Sequence, residues 1–153
     1  DVSHLNDAGF WDVHRLSSRP FVATHSNARA VCDHPRNLTD AQIQAIAEQG
    51  GLIGLNFYPL FVNGKADYKL SDLLRHVEHM LALGAENALA LGSDFDGADM
   101  PGCISDVKGL ANLFTCMIEY FGETITNQVF FRNAIEFFKN NVKIRGKIAN
   151  VLP

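Results

Sequence analysis

Four short apolar runs, each ending in polar residues, alternate along this chain with segments of helical spacing. The runs cover residues 1–4, 21–27, 51–58 and 88–97. Thr39 stands as an N-cap before one of the helical segments, and Gly50 and Gly84 stand where two of them end. Strands that alternate with helices predict a parallel sheet joined by right-handed crossovers. The pattern therefore predicts an α/β fold with four parallel strands.

Five segments carry the apolar spacing of amphipathic helices. They cover residues 6–16, 38–50, 69–84, 105–121 and 124–141. The third is the most regular, because its apolar side chains fall on one stripe: Leu70, Leu73, Leu74, Val77, Met80 and Leu81. We expect these helices to cover the strands, whose apolar character on nearly every residue is typical of a sheet buried on both faces.

The polar residues at the run ends point to a particular architecture. His4, His25, Asn56 and Asp94 each stand at the carboxyl end of a run. In a (β/α)8 barrel all those ends open onto one face, and active sites lie on that face. The chain supplies four strand and helix units where a closed barrel needs eight, so residues 1–153 are expected to form the second half of a single (β/α)8 TIM barrel domain.

Composition excludes several classes of partner. The net charge is −4 and no lysine or arginine cluster occurs, which argues against nucleic acid, because phosphate binding needs a concentrated basic patch. No apolar stretch approaches the roughly 20 residues that cross a bilayer. Cys32, Cys103 and Cys116 are widely spaced, which favours a reducing compartment such as the cytoplasm. Signals for another location would lie outside this stretch of sequence.

Two histidines at neighbouring strand ends suggest a metal site. His4 and His25 are 21 residues apart, about the length of one strand, helix and strand passage. Zinc accepts histidine nitrogens, and catalytic zinc sites leave one position for water. A histidine at a strand end is also commonly a hydrogen-bonded core or loop residue, and that alternative stays open for each histidine considered alone.

Asp94 and Arg36 are the other candidate site residues. Asp94 follows an apolar strand, where a carboxylate can coordinate a metal or move protons between an activated water and a leaving amine. Arg36 lies in a loop that Pro35 stiffens, and its guanidinium can grip the carboxylate of a small acidic substrate. The simpler alternatives are a turn for the aspartate and a surface ion pair for the arginine.

These residues lie in segments that resemble a known family. The stretches DVSHLNDAGFWDV, PFVATHSNARAVCDHPRNLTDAQI, GGLIGLNFYPLF and LALGSDFDG closely resemble the carboxyl-terminal half of the renal or membrane dipeptidases, zinc peptidases of family M19. The resemblance extends through about residue 138. It implies a (β/α)8 barrel of the amidohydrolase type in which a binuclear zinc centre hydrolyses dipeptides with a metal-activated water.

The resemblance also implies roles for individual residues. His4 and His25 match two ligands of one zinc ion, Arg36 matches the residue that holds the substrate carboxylate, and Asp94 matches the aspartate near the bridging water and the substrate amino group. The family takes an HxD pair and a bridging glutamate from earlier strands, and no such residues precede His4 here. We therefore expect two zinc ions in the intact site, but weak zinc binding and no activity in this chain without the amino-terminal half of the barrel.

Two other functions remain open. The chain could be a non-catalytic half-barrel that binds a ligand through the same face, or an amidohydrolase that acts on cyclic amides, a reaction with no special need for Arg36. Four parallel strands cannot close a barrel, which leaves two sheet edges exposed. We expect such a chain to form a homodimer or to associate with the missing half.

Overall fold

The computed structural model describes residues 1–142, in which helices alternate with parallel strands. The helices and strands are α1 (Asp7–Leu16), β1 (Val22–Ala23), α2 (Asp40–Glu48), β2 (Leu52–Asn56), α3 (Pro59–Val62), α4 (Leu70–Ala82), β3 (Leu89–Ser93), α5 (Gly109–Asn127) and α6 (Asn133–Asn141). The three strands form one parallel sheet in the order β1-β2-β3. The predicted α/β class with parallel strands is confirmed.

The predicted first strand, residues 1–4, is wrong. Val2 donates one backbone hydrogen bond to the Val22 oxygen at 2.8 Å, as a neighbouring strand would. The chain then turns, because the Leu5 N–H donates to the Val2 oxygen at 3.0 Å. One ladder bond is too few to define a strand, so the described residues contain three strands and not four. The Val2 bond still places this segment next to β1.

The middle of the sheet is packed closely enough to require glycine at two positions. A Cβ atom on Gly54 of β2 would lie 2.0 Å from the Thr24 carbonyl oxygen, and one on Gly92 of β3 would lie 1.9 Å from the same atom. Neither distance is sterically possible, so both positions must lack a side chain. The carbonyl group of Thr24, which follows β1, therefore lies directly against both β2 and β3.

The helices follow their sequence signals. Thr39 caps α2 in a capping box with Gln42, which confirms the predicted N-cap. Gly122 has φ 80° and ψ 170°, which are not helical values, and so divides α5 near residue 122. This break confirms the predicted boundary between the last two helical segments. A π-helical turn, Gln128–Arg132, joins α5 to α6.

Four buried polar side chains tie the loops beneath the strand ends together, and we call them the polar scaffold: Asn27, Asn37, Asn56 and His76. The Asn27 amide accepts from the Asn56 N–H at 3.1 Å and donates to the Asn56 oxygen at 2.9 Å. Asn37 donates to the Phe61 oxygen at 2.8 Å. Buried polar groups are tolerated when they are bonded in this way. The polar scaffold therefore fixes the loops that carry the candidate site.

No helix within residues 1–142 combines the length and the apolar character needed to cross a bilayer.

Candidate active site

The two predicted histidines meet at the carboxyl ends of the strands. His4 lies in the turn beside β1, and His25 lies two residues after β1. Their Nε2 atoms are 2.9 Å apart, and their rings are inclined at 63° with centroids separated by 4.9 Å. Two nitrogens bound to one zinc ion at about 2.1 Å each have a separation of this order. The imidazoles are therefore arranged as a pair of ligands to one cation would be.

Hydrogen bonding around His25 determines which ring nitrogen carries the proton. The Thr24 hydroxyl lies 2.5 Å from the Asp1 carboxylate and 2.8 Å from Nδ1 of His25. An ionised carboxylate only accepts, so the single hydroxyl proton goes to Asp1 and the hydroxyl oxygen accepts from Nδ1–H. A neutral imidazole then has a lone pair on Nε2, the atom that faces His4.

The partner nitrogen on His4 is also an acceptor. Nη2 of Arg36 lies 3.3 Å from Nε2 of His4, and a guanidinium can only donate. In this state neither Nε2 atom carries a proton, and the two nitrogens of His4 and His25 lie 2.9 Å apart with no hydrogen atom between them. That arrangement is repulsive unless a proton or a metal ion lies between them. The donor set at this point thus fits a zinc-type cation.

The charge state of His25 favours metal binding. The pKa of His25 is lowered from its ordinary value, chiefly because partial burial penalises the charged ring. The nearby charges of His4 and Arg36 lower the pKa further, while the carboxylate of Asp94 acts in the opposite direction. A neutral imidazole is the form that coordinates a metal.

Arg36 is half-buried beside the histidine pair. Its Nε donates to the Ser3 oxygen at 2.9 Å, which ties the arginine loop to the segment that carries His4. The guanidinium carbon lies 5.2 Å from the centre of the Phe61 ring, a distance typical of a cation–π contact. The structure thus places Arg36 beside His4, and its predicted contact with a substrate carboxylate stays a prediction.

Asp94 follows β3 directly and is held by Asn56. The Asn56 amide donates to the Asp94 carboxylate at 3.0 Å and lies 3.5 Å from the His25 oxygen. Asp94 has φ 71°, in the left-handed region that aspartate enters more readily than most residues. The N–H groups of Gly97 and Ala98 donate to the Asp94 carbonyl at 3.0 and 3.1 Å and stabilise this turn.

A cavity of about 520 Å³ lies between the arginine and the aspartate. Its lining residues are Arg36, Tyr58, Phe61, Asp94 and residues 96–99, which include two further aspartates. The lining thus combines one cationic side chain with three carboxylates. A small zwitterion, with a carboxylate at one end and an ammonium group at the other, matches this charge distribution.

Within residues 1–142, no group of three or more histidine, cysteine, aspartate or glutamate side chains converges well enough to hold a metal ion. The convergent ligands are the two imidazoles of His4 and His25. A catalytic zinc ion normally has three protein ligands. The described residues therefore present part of a coordination sphere.

Three contributors to this region are not among the site residues predicted from the sequence. Asp1 and Thr24 form the hydrogen-bonded chain to His25, and Asn56 bonds to Asp94. Thr24 follows β1 and Asn56 ends β2, the strand-end position that also singled out His25, whereas Asp1 lies before the turn that carries His4. Their roles depend on contacts between distant segments, and the spacing along the chain does not reveal such contacts.

Comparison with known proteins relates the whole chain to a peptidase family. The family model described as membrane dipeptidase (peptidase family M19) matches residues 1–150. An uncharacterized protein of Klebsiella pneumoniae is 39% identical over 145 residues, which cover 92% of this chain and 54% of that protein. A protein of Schizosaccharomyces pombe named as an uncharacterized dipeptidase is 33% identical over 122 residues, which cover 78% of this chain and 30% of that protein.

A solved structure is similar as well. It is a metallopeptidase from Rhodobacter sphaeroides bound to a phosphinate mimic of the dipeptide L-Ala-D-Ala, with a TM-score of 0.86 and 41% identity. The match covers 91% of this chain and 41% of that chain. This chain therefore spans about half the length of the Klebsiella relative and less than half of the solved peptidase.

Proposed function

Since this chain belongs to the membrane dipeptidase family, peptidase family M19, we propose that it carries part of the active site of a zinc-dependent dipeptidase. The observation that carries the proposal is the contact of 2.9 Å between Nε2 of His4 and Nε2 of His25, beside Arg36. The two imidazoles are proposed ligands of one zinc ion in a binuclear centre. A bound zinc ion lowers the pKa of its water to about 7 and polarises a substrate carbonyl.

Arg36 and Asp94 bind the two ends of the dipeptide in this proposal. The guanidinium of Arg36 takes the substrate carboxylate, and its stacking on Phe61 restricts the orientation in which it does so. Asp94 also lines the cavity, and its carboxylate attracts the substrate ammonium group. A cavity of about 520 Å³ accommodates a molecule of dipeptide size.

Asp94 also moves the proton that the reaction requires. Hydrolysis adds water to the peptide carbonyl and releases an amine, which must gain a proton to leave. The Asp94 carboxylate takes a proton from the attacking water and passes it to the departing nitrogen. Asn56 keeps the carboxylate in place by donating to one oxygen at 3.0 Å, and the other oxygen accepts no hydrogen bond from residues 1–142.

The remaining ligands come from outside this chain in this proposal. We propose that residues 1–153 form the second half of a (β/α)8 barrel and that a first half supplies a bridging carboxylate and the other ligands. Support comes from the three parallel strands and from the solved peptidase, of which this chain covers 41%. The chain alone is then inactive and binds zinc weakly, and it either pairs with that half or forms a homodimer through its open sheet edges.

The experiment is a dipeptidase assay on the full-length protein and on this chain by itself. We expect the full-length protein to hydrolyse dipeptides such as L-Ala-L-Ala and L-Ala-D-Ala, to lose activity with a chelator and to regain it with Zn²⁺. This chain alone should be inactive and should regain activity when the first half is added. Arg36→Lys should raise KM, while Arg15→Lys serves as a control at an exposed arginine outside the cavity.

Other outcomes would contradict the proposal. Chelator-insensitive hydrolysis would exclude a metal-dependent reaction. Hydrolysis of a cyclic amide without hydrolysis of dipeptides would favour a different amidohydrolase activity. Ligand binding at the strand-end face with no activity in the full-length protein would favour a binding module. A stable monomer of this chain in size-exclusion chromatography would contradict the homodimer.

A further inference from the structure

We propose that Asp1 and Thr24 are positioning residues for His25, in which a carboxylate and a hydroxyl together keep the ring proton on Nδ1 and the lone pair on Nε2. The inference deepens the proposed function, because it rests on His25 acting as a metal ligand. Neither residue touches the metal or the substrate in this scheme. They act through the imidazole of His25.

The first step is the direction of the hydrogen bonds. The Asp1 carboxylate accepts from the Thr24 hydroxyl at 2.5 Å, which is short for a neutral donor and typical of a bond to a charged acceptor. The Thr24 oxygen, having used its proton, accepts from Nδ1–H of His25 at 2.8 Å. Metal-bound histidines characteristically donate their other ring N–H to a carboxylate or another acceptor, which orients the ring and raises its basicity. Here the Thr24 hydroxyl lies between the Asp1 carboxylate and the His25 ring and links them through two hydrogen bonds.

The second step is the position of Asp1 itself. Its second oxygen accepts from the Ser3 N–H at 3.0 Å, from the Ser3 hydroxyl at 2.8 Å and from the Thr24 N–H at 3.1 Å. The Ser3 hydroxyl in turn accepts from the His25 N–H at 3.1 Å. One carboxylate therefore joins the residue before His4 to the residue before His25. This arrangement sets the separation of the two imidazoles as well as the tautomer of one.

The third step is the backbone of Thr24. Its carbonyl oxygen fills the space that a side chain on Gly54 or Gly92 would need, at 2.0 and 1.9 Å from the ideal Cβ positions. The close contact with two strands prevents the carbonyl from moving toward the sheet. Thr24 is thus held at its backbone by the sheet and at its hydroxyl by Asp1. A residue fixed at both points is suited to orient the neighbouring ring.

The test uses the metal-free full-length protein and Thr24→Val, which keeps the shape of the side chain and removes the hydroxyl. Two-bond proton–nitrogen NMR spectra report which nitrogen of His25 carries the proton. We expect the Nδ1–H tautomer in the wild-type protein and in Thr24→Ser, and a shift toward the Nε2–H tautomer or a mixture in Thr24→Val. Thr115→Val, at an exposed position on α5, is the control for the substitution itself.

Zinc affinity is the second measurement, made by competition with a chromophoric chelator. Loss of an outer partner of a metal-bound histidine typically weakens metal binding about 10- to 100-fold, and we expect a loss in that range for Thr24→Val. Thr24→Ser should restore most of the affinity. Asp1→Asn should weaken binding less than Thr24→Val, because an amide oxygen still accepts from the hydroxyl without the charge. This second variant provides the test if Thr24→Val does not fold.

The outcomes separate this inference from the proposed function. An unchanged Nδ1–H tautomer and unchanged zinc affinity in Thr24→Val would overturn the positioning role, whatever the enzyme does. A wild-type protein that has the Nδ1–H tautomer but binds no zinc and hydrolyses no dipeptide would overturn the proposed function and leave the hydrogen-bond assignment intact. An Nε2–H tautomer in the wild-type protein would overturn the assignment directly.

Discussion

Two histidines that lie close to the same sheet differ in what their ring nitrogens contact. His25 follows strand β1 at the candidate site, and His76 lies in helix α4 as part of the polar scaffold. His76 is fully buried, and its Nδ1 accepts from the Ala28 N–H at 3.1 Å while its Nε2–H donates to the Val62 oxygen at 2.8 Å. His25 is half-buried and directs Nε2 at another imidazole nitrogen. A histidine whose two nitrogens both bond to backbone has a structural role, whereas one whose unprotonated nitrogen lies against a second unprotonated nitrogen has a place for a ligand.

The largest expected effect is the loss of activity in His25→Ala of the full-length protein. Metal chemistry contributes several kcal/mol to transition-state stabilisation, and each 1.4 kcal/mol is tenfold in rate, so we expect kcat/KM to fall by about a thousandfold or more. The free energy of unfolding of the metal-free protein should change by less than about 1 kcal/mol, because the ring is partly exposed. If His25→Ala retained activity but lost much of its stability, His25 would have the structural role and not the role of a ligand.

The second prediction is that His76→Ala destabilises the protein and leaves the metal site in place. The change leaves the Ala28 N–H and the Val62 oxygen buried without partners, and each unpaired group costs about 1–3 kcal/mol. Urea denaturation should therefore show a loss of about 2–6 kcal/mol. His79→Ala, on the same helix but partly exposed and bonded to Asp40, is the matched control and should cost less than about 1 kcal/mol. Equal effects at both positions would contradict a structural role for His76.

The third prediction concerns acid. Burial lowers the pKa of His76 to about 4, below its ordinary 6.5. Between these values the unfolded chain binds a proton that the folded chain does not, so stability falls as pH falls. We expect His76 to account for about 2 kcal/mol of lost unfolding free energy between pH 7 and pH 5. His76→Gln keeps a donor and an acceptor but does not titrate, and a pH dependence identical to wild type in that variant would contradict the prediction.

The smallest effect is expected at an ion pair that is partly exposed to solvent. Arg29 forms two bonds of 2.9 Å with Asp7, and this partner holds the pKa of Asp7 below its usual range. The Asp7 side chain is 54% exposed, so solvent screens the pair. Asp7→Asn should cost less than about 1 kcal/mol above pH 4, with no effect below the pKa of Asp7, and should leave zinc affinity unchanged. A loss of zinc affinity would show that this pair supports the histidine region.

Much of the fold follows from the sequence because its signals are local. The capping box at Thr39, the stripe of apolar residues on α4 and the glycine at residue 84 that follows it each act within a few residues. Residues 1–4 carry the same kind of local signal, but a strand also needs hydrogen bonds to a neighbouring strand. Val2 makes one hydrogen bond to Val22, and pairing then stops because the chain turns at Leu5.

The candidate site divides in the same way. The positions of His25 and Asp94 follow from the pattern of parallel strands, whose carboxyl ends meet at one edge, whereas His4 lies in a turn beside β1. The hydrogen bonds that support them cannot, since Thr24 reaches Asp1 across 23 residues and Asn56 reaches Asp94 across 38. The metal and substrate roles of His4, His25, Arg36 and Asp94 remain predictions for the experiments described above.

The glycines at positions 54 and 92 have a consequence for anyone who mutates this sheet systematically. A methyl group at either position would clash with the Thr24 carbonyl oxygen and displace it. Because His25 is the next residue, its imidazole would move as well. An alanine scan would then report catalytic defects at two residues that carry no functional group. Such hits would mark a mechanical linkage, and reading them as substrate contacts would misplace the boundary of the active centre.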